Sequence, residues 1–201
     1  MNACVLVETR ELPNLCQIID NHLRFLKGWK FVMFGSKQNE VLVKQNYPDV
    51  DFFDLELTKL NEREYNEVLT SENFWDCLIE YDRVLVFQHD SRLLREGIEN
   101  FLQYDFIGAP LYHIKFPHMN GGLSIRNPKM MMEICQRYKY NMLLHGNEDI
   151  YFCKHLTNVN GLFPTKEEAM KFSVETIFYP TPIGVHCPEK WLKPHELKQL
   201  I

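Results

Sequence analysis

The first quarter of the chain alternates short apolar runs with segments of helical spacing, and few folds accommodate that order. "ACVLVETR" reads as a buried strand from its unbroken apolar run, and "WKFVMFGS" and "VDFFDLE" read as a second and a third strand. Between the first two, Leu15, Ile18, Ile19, Leu23 and Leu26 fall at helical spacing, with Gly28 as a stop. "NEVLVKQNYP" predicts a shorter helix ended by Pro48. A βαβαβ order implies a mostly parallel sheet covered by helices. With 201 residues, no repeat and no linker rich in Gly, Ser or Pro, the expectation is a single α/β domain over 1–201, Rossmann-like, with a central, mostly parallel sheet flanked by helices.

The second half is less regular. "NEREYNEVLTSENFWDCLIE" predicts a helix in two pieces, and "RVLVFQHDS" a central strand followed by a helix over "RLLREGIENFLQ". "YDFIGAPLY" and "MNGGLSIRNP" read as short strands, and "KMMMEICQRYKY" and "NEDIYFCKHL" as helices. Thr165 and Glu168 stand in capping-box spacing, and "YPTPIGVHCPEKW" closes the chain as an extended segment.

A net charge of -5 with no long basic run argues against a nucleic-acid backbone binder. A phosphorylated small ligand needs only one or two positive side chains, so that class stays open. None of the 6 cysteines forms a C-x-x-C pair, which argues against a zinc knuckle or a thioredoxin-type site. The N-terminus lacks the basic region of a signal peptide, and no apolar stretch approaches a membrane span. The expectation is a soluble, cytoplasmic protein.

Four places put polar residues where a buried pattern stops: Gln88-His89-Asp90, Asn120-Gly121-Gly122, Glu148-Asp149 and His186. Each has a plain structural reading. Asp90 could cap a following helix, Asn-Gly-Gly could be a tight turn, the acid pair could complement a helix dipole, and His186 could be a satisfied structural histidine.

Taken in order, "YNEVLTSENFW", "VLVFQHDS", "YDFIGAP", "NGGLSIRN", "NEDIYF", "FSVET" and "IGVH" resemble a nucleotide-sugar glycosyltransferase of the GT-A type. The nearest resemblance is to a family of unknown function with such features, and it spans about Val5 to His186. The resemblance implies transfer of a sugar from a nucleotide-diphosphate sugar, UDP-linked by default, to a glycan, protein or small-molecule acceptor. It implies a divalent cation, Mn²⁺ or Mg²⁺, held at an Asp-x-Asp motif and acting as a Lewis acid on the departing diphosphate. Gln88 stands where the first acid of that motif would be, so the metal reading rests on Asp90 and His186, and weak or absent metal binding stays open. The same resemblance makes Asp149 the base of an inverting reaction and Glu148 its neighbour holding the acceptor. It puts Asn120, Gly121 and Gly122 beside donor sugar and acceptor. Glu8 or Thr9 would meet the base or ribose and Arg10 a phosphate, Gln88 and His89 belong to the same donor-binding set, and Lys190 could meet the diphosphate or be a solvated surface lysine.

Two other readings remain open. A metal-assisted phosphohydrolase or nucleotidyltransferase could use the same Asp and His, although "VETRELPN" lacks the Gly-rich loop of the latter. A catalytically inactive binding or scaffold module would also tolerate Gln88.

Overall fold

The computed structural model describes residues 1–200. The chain runs β1 (Ala3–Val7), α1 (Leu15–Leu23), β2 (Lys30–Gly35), α2 (Lys37–Asn46) and β3 (Asp51–Asp54), as the alternation predicts. Next come α3 (Glu62–Leu69), α4 (Glu72–Asp76), β4 (Val84–Phe87), β5 (Ser91–Leu93), a 3-10 turn over Ile98–Phe101, β6 (Phe106–Ile107) and β7 (Leu123–Arg126). The last third holds α5 (Pro128–Arg137), α6 (Met142–His145), α7 (Glu148–Asn158), α8 (Lys166–Phe172), β8 (Ser173–Val174), β9 (Gly184–His186), a 3-10 turn over Pro188–Lys190 and α9 (Pro194–Leu197).

The main sheet has the order β3-β2-β1-β4-β7-β6. β1 lies parallel to both β2 and β4, and β2 to β3, while β7 runs antiparallel to β4 and β6. Every residue of β1 and β4 is buried, which accounts for their unbroken apolar composition. Aromatic side chains fill one layer against this sheet. Trp75 is fully buried edge-on to Phe74 and Phe152, and its indole N–H donates to the Leu69 carbonyl at 2.7 Å. The Thr165–Glu168 capping box forms as the spacing predicts.

The expected helix over "RLLREGIENFLQ" does not form. Ser91–Leu93 instead makes the edge of a second, three-stranded sheet, β5-β9-β8, and Gly97 then turns the chain at φ 109°. The reason is pairing at a distance: Ser91 lies opposite His186 and Leu93 opposite Gly184. Asp90 therefore precedes a strand and caps no helix. No helix among the described residues is long and apolar enough to cross a membrane.

Candidate active site

In open α/β sheets the cleft for a ligand opens where neighbouring strands send their connections in opposite directions. Here that point lies between β1 and β4, whose carboxyl ends deliver Glu8 and Gln88. A cleft of about 330 Å³ opens there, lined by Gln88, Asp90, Asn120, Glu148, Asp149, His186 and Lys190 among others. A shallower hollow of about 210 Å³ adjoins it, lined by Glu8, Arg10, Leu60, Asn61 and His89, and shares Glu62, Tyr65 and Gln88 with it.

The second sheet explains how distant residues meet. Antiparallel pairing of β5 with β9 places His186 beside the segment that carries Asp90, and the Cys187 N–H donates to the Asp90 carbonyl at 3.0 Å. His186 Nε2 then lies 3.2 Å from Asp90 Oδ1 and 3.1 Å from Gln88 Oε1. Parallel pairing of β8 with β9 sets Val174 opposite Val185, so the next residue, Glu175, reaches His186 from the other side, with Oε2 3.5 Å from Nδ1. Burial works against a charge on His186, but the carboxylates of Asp90 and Glu175 outweigh it and push the imidazole up to about 9. Burial would raise Asp90, yet His186 and His89 hold it well below the usual carboxylate range. These contacts are close but misaligned: Asp90 Oδ1, Glu175 Oε2 and His186 Nδ1 are buried without a hydrogen-bond partner. Orphaned buried polar atoms of this kind call for an explanation.

Glu148 and Asp149, which line the same cleft, open α7. The Asn66 side-chain oxygen accepts from the Glu148 backbone N–H at 2.7 Å, giving Asn66 a capping role that its place in "YNEV" did not reveal. Glu148 was expected to hold an acceptor, but both of its oxygens are taken by Arg126, at 2.6 and 2.8 Å. That guanidinium is fully buried, stands over the Phe106 and Phe152 rings, and also donates to Ser124 Oγ and the Gly121 carbonyl. Glu148 thus acts as the counter-charge of a buried cation. Asp149 is freer, but its two oxygens accept from the backbone N–H groups of Gly121 and Ile150, at 3.0 and 2.7 Å. Burial, reinforced by the Glu148 charge, raises Asp149 to about 7, although those N–H groups and Arg126 pull the other way.

The glycines of Asn120-Gly121-Gly122 serve close approach to protein groups. A Cβ on Gly121 would sit 2.5 Å from both the Arg126 guanidinium and Glu148 Oε1, and one on Gly122 would sit 2.3 Å from His186 Nε2. Asn120 turns inward on its own loop, accepting from the Gly122 N–H at 2.6 Å. At the end of β1, Glu8 is buried and binds Arg10 Nε at 2.8 Å, and Arg10 in turn lies 3.0 Å from His89 Nδ1. Thr9 departs from expectation. It is 1% exposed, lines neither the cleft nor the hollow, and its hydroxyl accepts from the Leu60 N–H at 2.8 Å. Lys190 is exposed at the cleft mouth.

Among the described residues no group of three or more His, Cys, Asp or Glu side chains is arranged to hold a metal ion. One carboxylate, one imidazole and the Gln88 carbonyl oxygen do converge. Mg²⁺-type sites commonly use one or two carboxylates and take their remaining ligands from substrate phosphates and water. The residues present therefore fit an ion that arrives with a diphosphate better than one held by protein alone.

This fold is shared with solved glycosyltransferases. Mouse xyloside xylosyltransferase 1 in its apo form superposes with a TM-score of 0.60 at 9% identity, covering 96% of this chain and 100% of that one. Glycosyltransferase GlyE of Streptococcus pneumoniae TIGR4 superposes with TM-scores of 0.58 and, in its apo form, 0.54, at 9% identity, each covering 96% of this chain. The chain spans 55% of the GlyE length. At such identity the likeness is one of fold, an α/β GT-A-like architecture with a mostly parallel sheet. By sequence the chain belongs to the family described as protein of unknown function (DUF5672), which matches residues 49–186. No curated protein matches it.

Proposed function

We propose that this chain is a glycosyltransferase that moves a sugar from a nucleotide-diphosphate sugar to an acceptor hydroxyl, with inversion at the anomeric carbon. One observation carries the reading. Asp90, His186 and Lys190 line one cleft together with a buried carboxylate, Asp149, at the β1/β4 junction of a fold shared with glycosyltransferases.

Each wall has a task. Lys190 meets the diphosphate as a point charge at the cleft mouth. Glu62, Asp90 and Asp149 also line this space, and once His186 gives up its proton to serve as a ligand only one lysine faces them, so a diphosphate there needs the charge of a cation. Asp90, His186 and Gln88 would hold Mn²⁺ or Mg²⁺, Mn²⁺ being favoured by the imidazole. When bound, the cation neutralises charge on the departing diphosphate. Glu175 lies 3.5 Å from His186 Nδ1 without a hydrogen bond and acts on the ring by its charge, in the place that a carboxylate behind a ligand histidine commonly takes. The hollow lined by Glu8, Arg10 and His89 receives the nucleoside, with UDP the default. Asp149 takes the acceptor proton as the hydroxyl attacks. Burial lifts its pKa toward the working pH, the range in which a general base is most effective. The Arg126–Glu148 pair keeps α7 and the Gly121 loop in register around it.

A second reading, a nucleotide-binding module without turnover, is favoured by Gln88 and by the lack of a three-ligand cluster among the described residues. The test is turnover on a panel of UDP-, GDP- and TDP-sugars, each with a mixture of sugar, peptide and small-alcohol acceptors, with and without Mn²⁺. Transfer releases the nucleoside diphosphate and forms a glycoside of inverted anomeric configuration, read by NMR. Release of nucleoside monophosphate would indicate a phosphohydrolase. No release across the panel, from protein that binds a nucleotide, would establish the inactive module.

A further inference from the structure

We propose that Tyr112, His113 and Trp191 form a stacking platform for a pyranose ring of the acceptor, so that the acceptor class of this chain is carbohydrate. The proposal rests on the transferase reading above and names its acceptor.

The three rings pack on one another at the surface. The Tyr112 and His113 centroids are 5.0 Å apart, those of His113 and Trp191 5.8 Å apart with planes 23° from parallel, and those of Tyr112 and Trp191 6.1 Å apart. Tyr112 is 65% exposed and Trp191 44% exposed, and neither ring belongs to the apolar cores of the described chain. Large rings left in water gain nothing for folding, and contiguous exposed apolar surface marks a place of contact.

Their position ties them to the cleft. Trp191 directly follows Lys190, which lines it. The loop bearing Tyr112 and His113 is closed by a bridge between Pro110 and Met119, immediately before the cleft residue Asn120. The Tyr112 N–H donates to Thr176 Oγ1 at 2.9 Å, and Thr176 follows Glu175, the residue against His186. Both segments that carry rings therefore spring from the cleft wall.

The chemistry favours a sugar. A pyranose presents a face of C–H groups whose hydrogens carry partial positive charge, and an aromatic face carries the complementary negative charge. Its hydroxyl rim needs polar edges, which the phenol, imidazole and indole N–H supply. A purely apolar peptide would leave those edges unpaired.

The experiment is retention of the full chain on immobilised cellotriose, xylotriose, maltotriose and chitotriose, with UDP, GDP and TDP binding in the presence of Mn²⁺ followed in parallel by calorimetry. Wild type should be retained by at least one glycan. Trp191→Ala or Tyr112→Ala should weaken retention by up to about tenfold, the scale of an aromatic stacking contact. Trp191→Phe should restore most of it, and nucleotide affinity should stay within about twofold, because the rings lie outside the nucleoside hollow. Equal retention of wild type and both alanine variants overturns the platform. So does retention by no glycan in protein that binds nucleotide, or displacement by an apolar peptide but not by free sugar. Ring-dependent retention without nucleotide binding supports the platform and removes the transferase reading instead. Binding of neither ligand removes both.

Discussion

Asp149→Asn is expected to cut sugar transfer by about a hundredfold to ten-thousandfold, the usual worth of a general base and roughly 3–5 kcal/mol of barrier. Asn cannot take a proton. It is also an imperfect structural substitute, because both Asp149 oxygens accept backbone N–H groups, from Gly121 and Ile150. An amide offers one oxygen, so one of those donors is left facing an NH₂ group, at a cost of about 1–3 kcal/mol. Folding must therefore be checked beside turnover. Titration separates the two effects. Asp149 is raised by burial to about 7 in the folded chain against an ordinary 3.8. The base works ionised, so wild-type kcat/KM should climb with pH and level off above about 7. Stability runs the opposite way. A carboxyl whose folded pKa lies above its unfolded value binds the extra proton in the native state, so its contribution is present in acid and is lost as pH rises from about 4 to about 7. Urea melts at pH 5 and pH 8 should show that loss in wild type and a smaller one in Asp149→Asn. Turnover within about threefold of wild type in folded variant would remove Asp149 as the base.

Arg126→Met should cost more stability than any other single change at the cleft. The guanidinium is fully buried, and its partner Glu148 is 3% exposed. A buried pair of this kind contributes modestly when whole, because desolvation offsets much of the attraction, but removing one member strands the other charge. The expected loss is about 3–5 kcal/mol, a large part of the roughly 5–15 kcal/mol that holds a domain together. At roughly 2–4 °C per kcal/mol for a chain of this size, the melting temperature should fall by about 6–20 °C. Arg126→Met combined with Glu148→Leu should recover most of the loss, since no charge is then stranded. A single variant within about 1 kcal/mol of wild type would show that the pair is hydrated or replaceable.

The parts of this fold that were legible in sequence are those set by local pattern. β1, β2 and β4 declare themselves as apolar runs, and α1 by the spacing of Leu15, Ile18 and Ile19. β5 did not, because "RLLREGIENFLQ" has acceptable helical spacing and its strand character comes from hydrogen bonds to β9, supplied by a segment near the other end of the chain. The meeting of Asp90 with His186 followed from motif order and not from any local rule. The flanking acid, Glu175, was missed because only the β8/β9 register brings it to Nδ1. Arg126 carried a faint signal, a charge at the end of the apolar strand "LSIR", but nothing there pointed to Glu148 as its partner. Thr9 and Glu148 were assigned to ligands by motif position alone. Their oxygens are instead committed to the Leu60 N–H and to Arg126.

The central claim, that the cleft between Asp90 and Asp149 takes a nucleotide-diphosphate sugar, is tested most directly by calorimetry of UDP, GDP and TDP binding, with and without Mn²⁺, to wild type and to Asp90→Asn. A diphosphate site built on Asp90, His186 and Lys190 predicts that at least one nucleoside diphosphate binds, that Mn²⁺ tightens it by about tenfold or more, and that Asp90→Asn removes the tightening while leaving the chain folded. No binding of any of the three by folded wild-type protein, with Mn²⁺ present or absent, would contradict it.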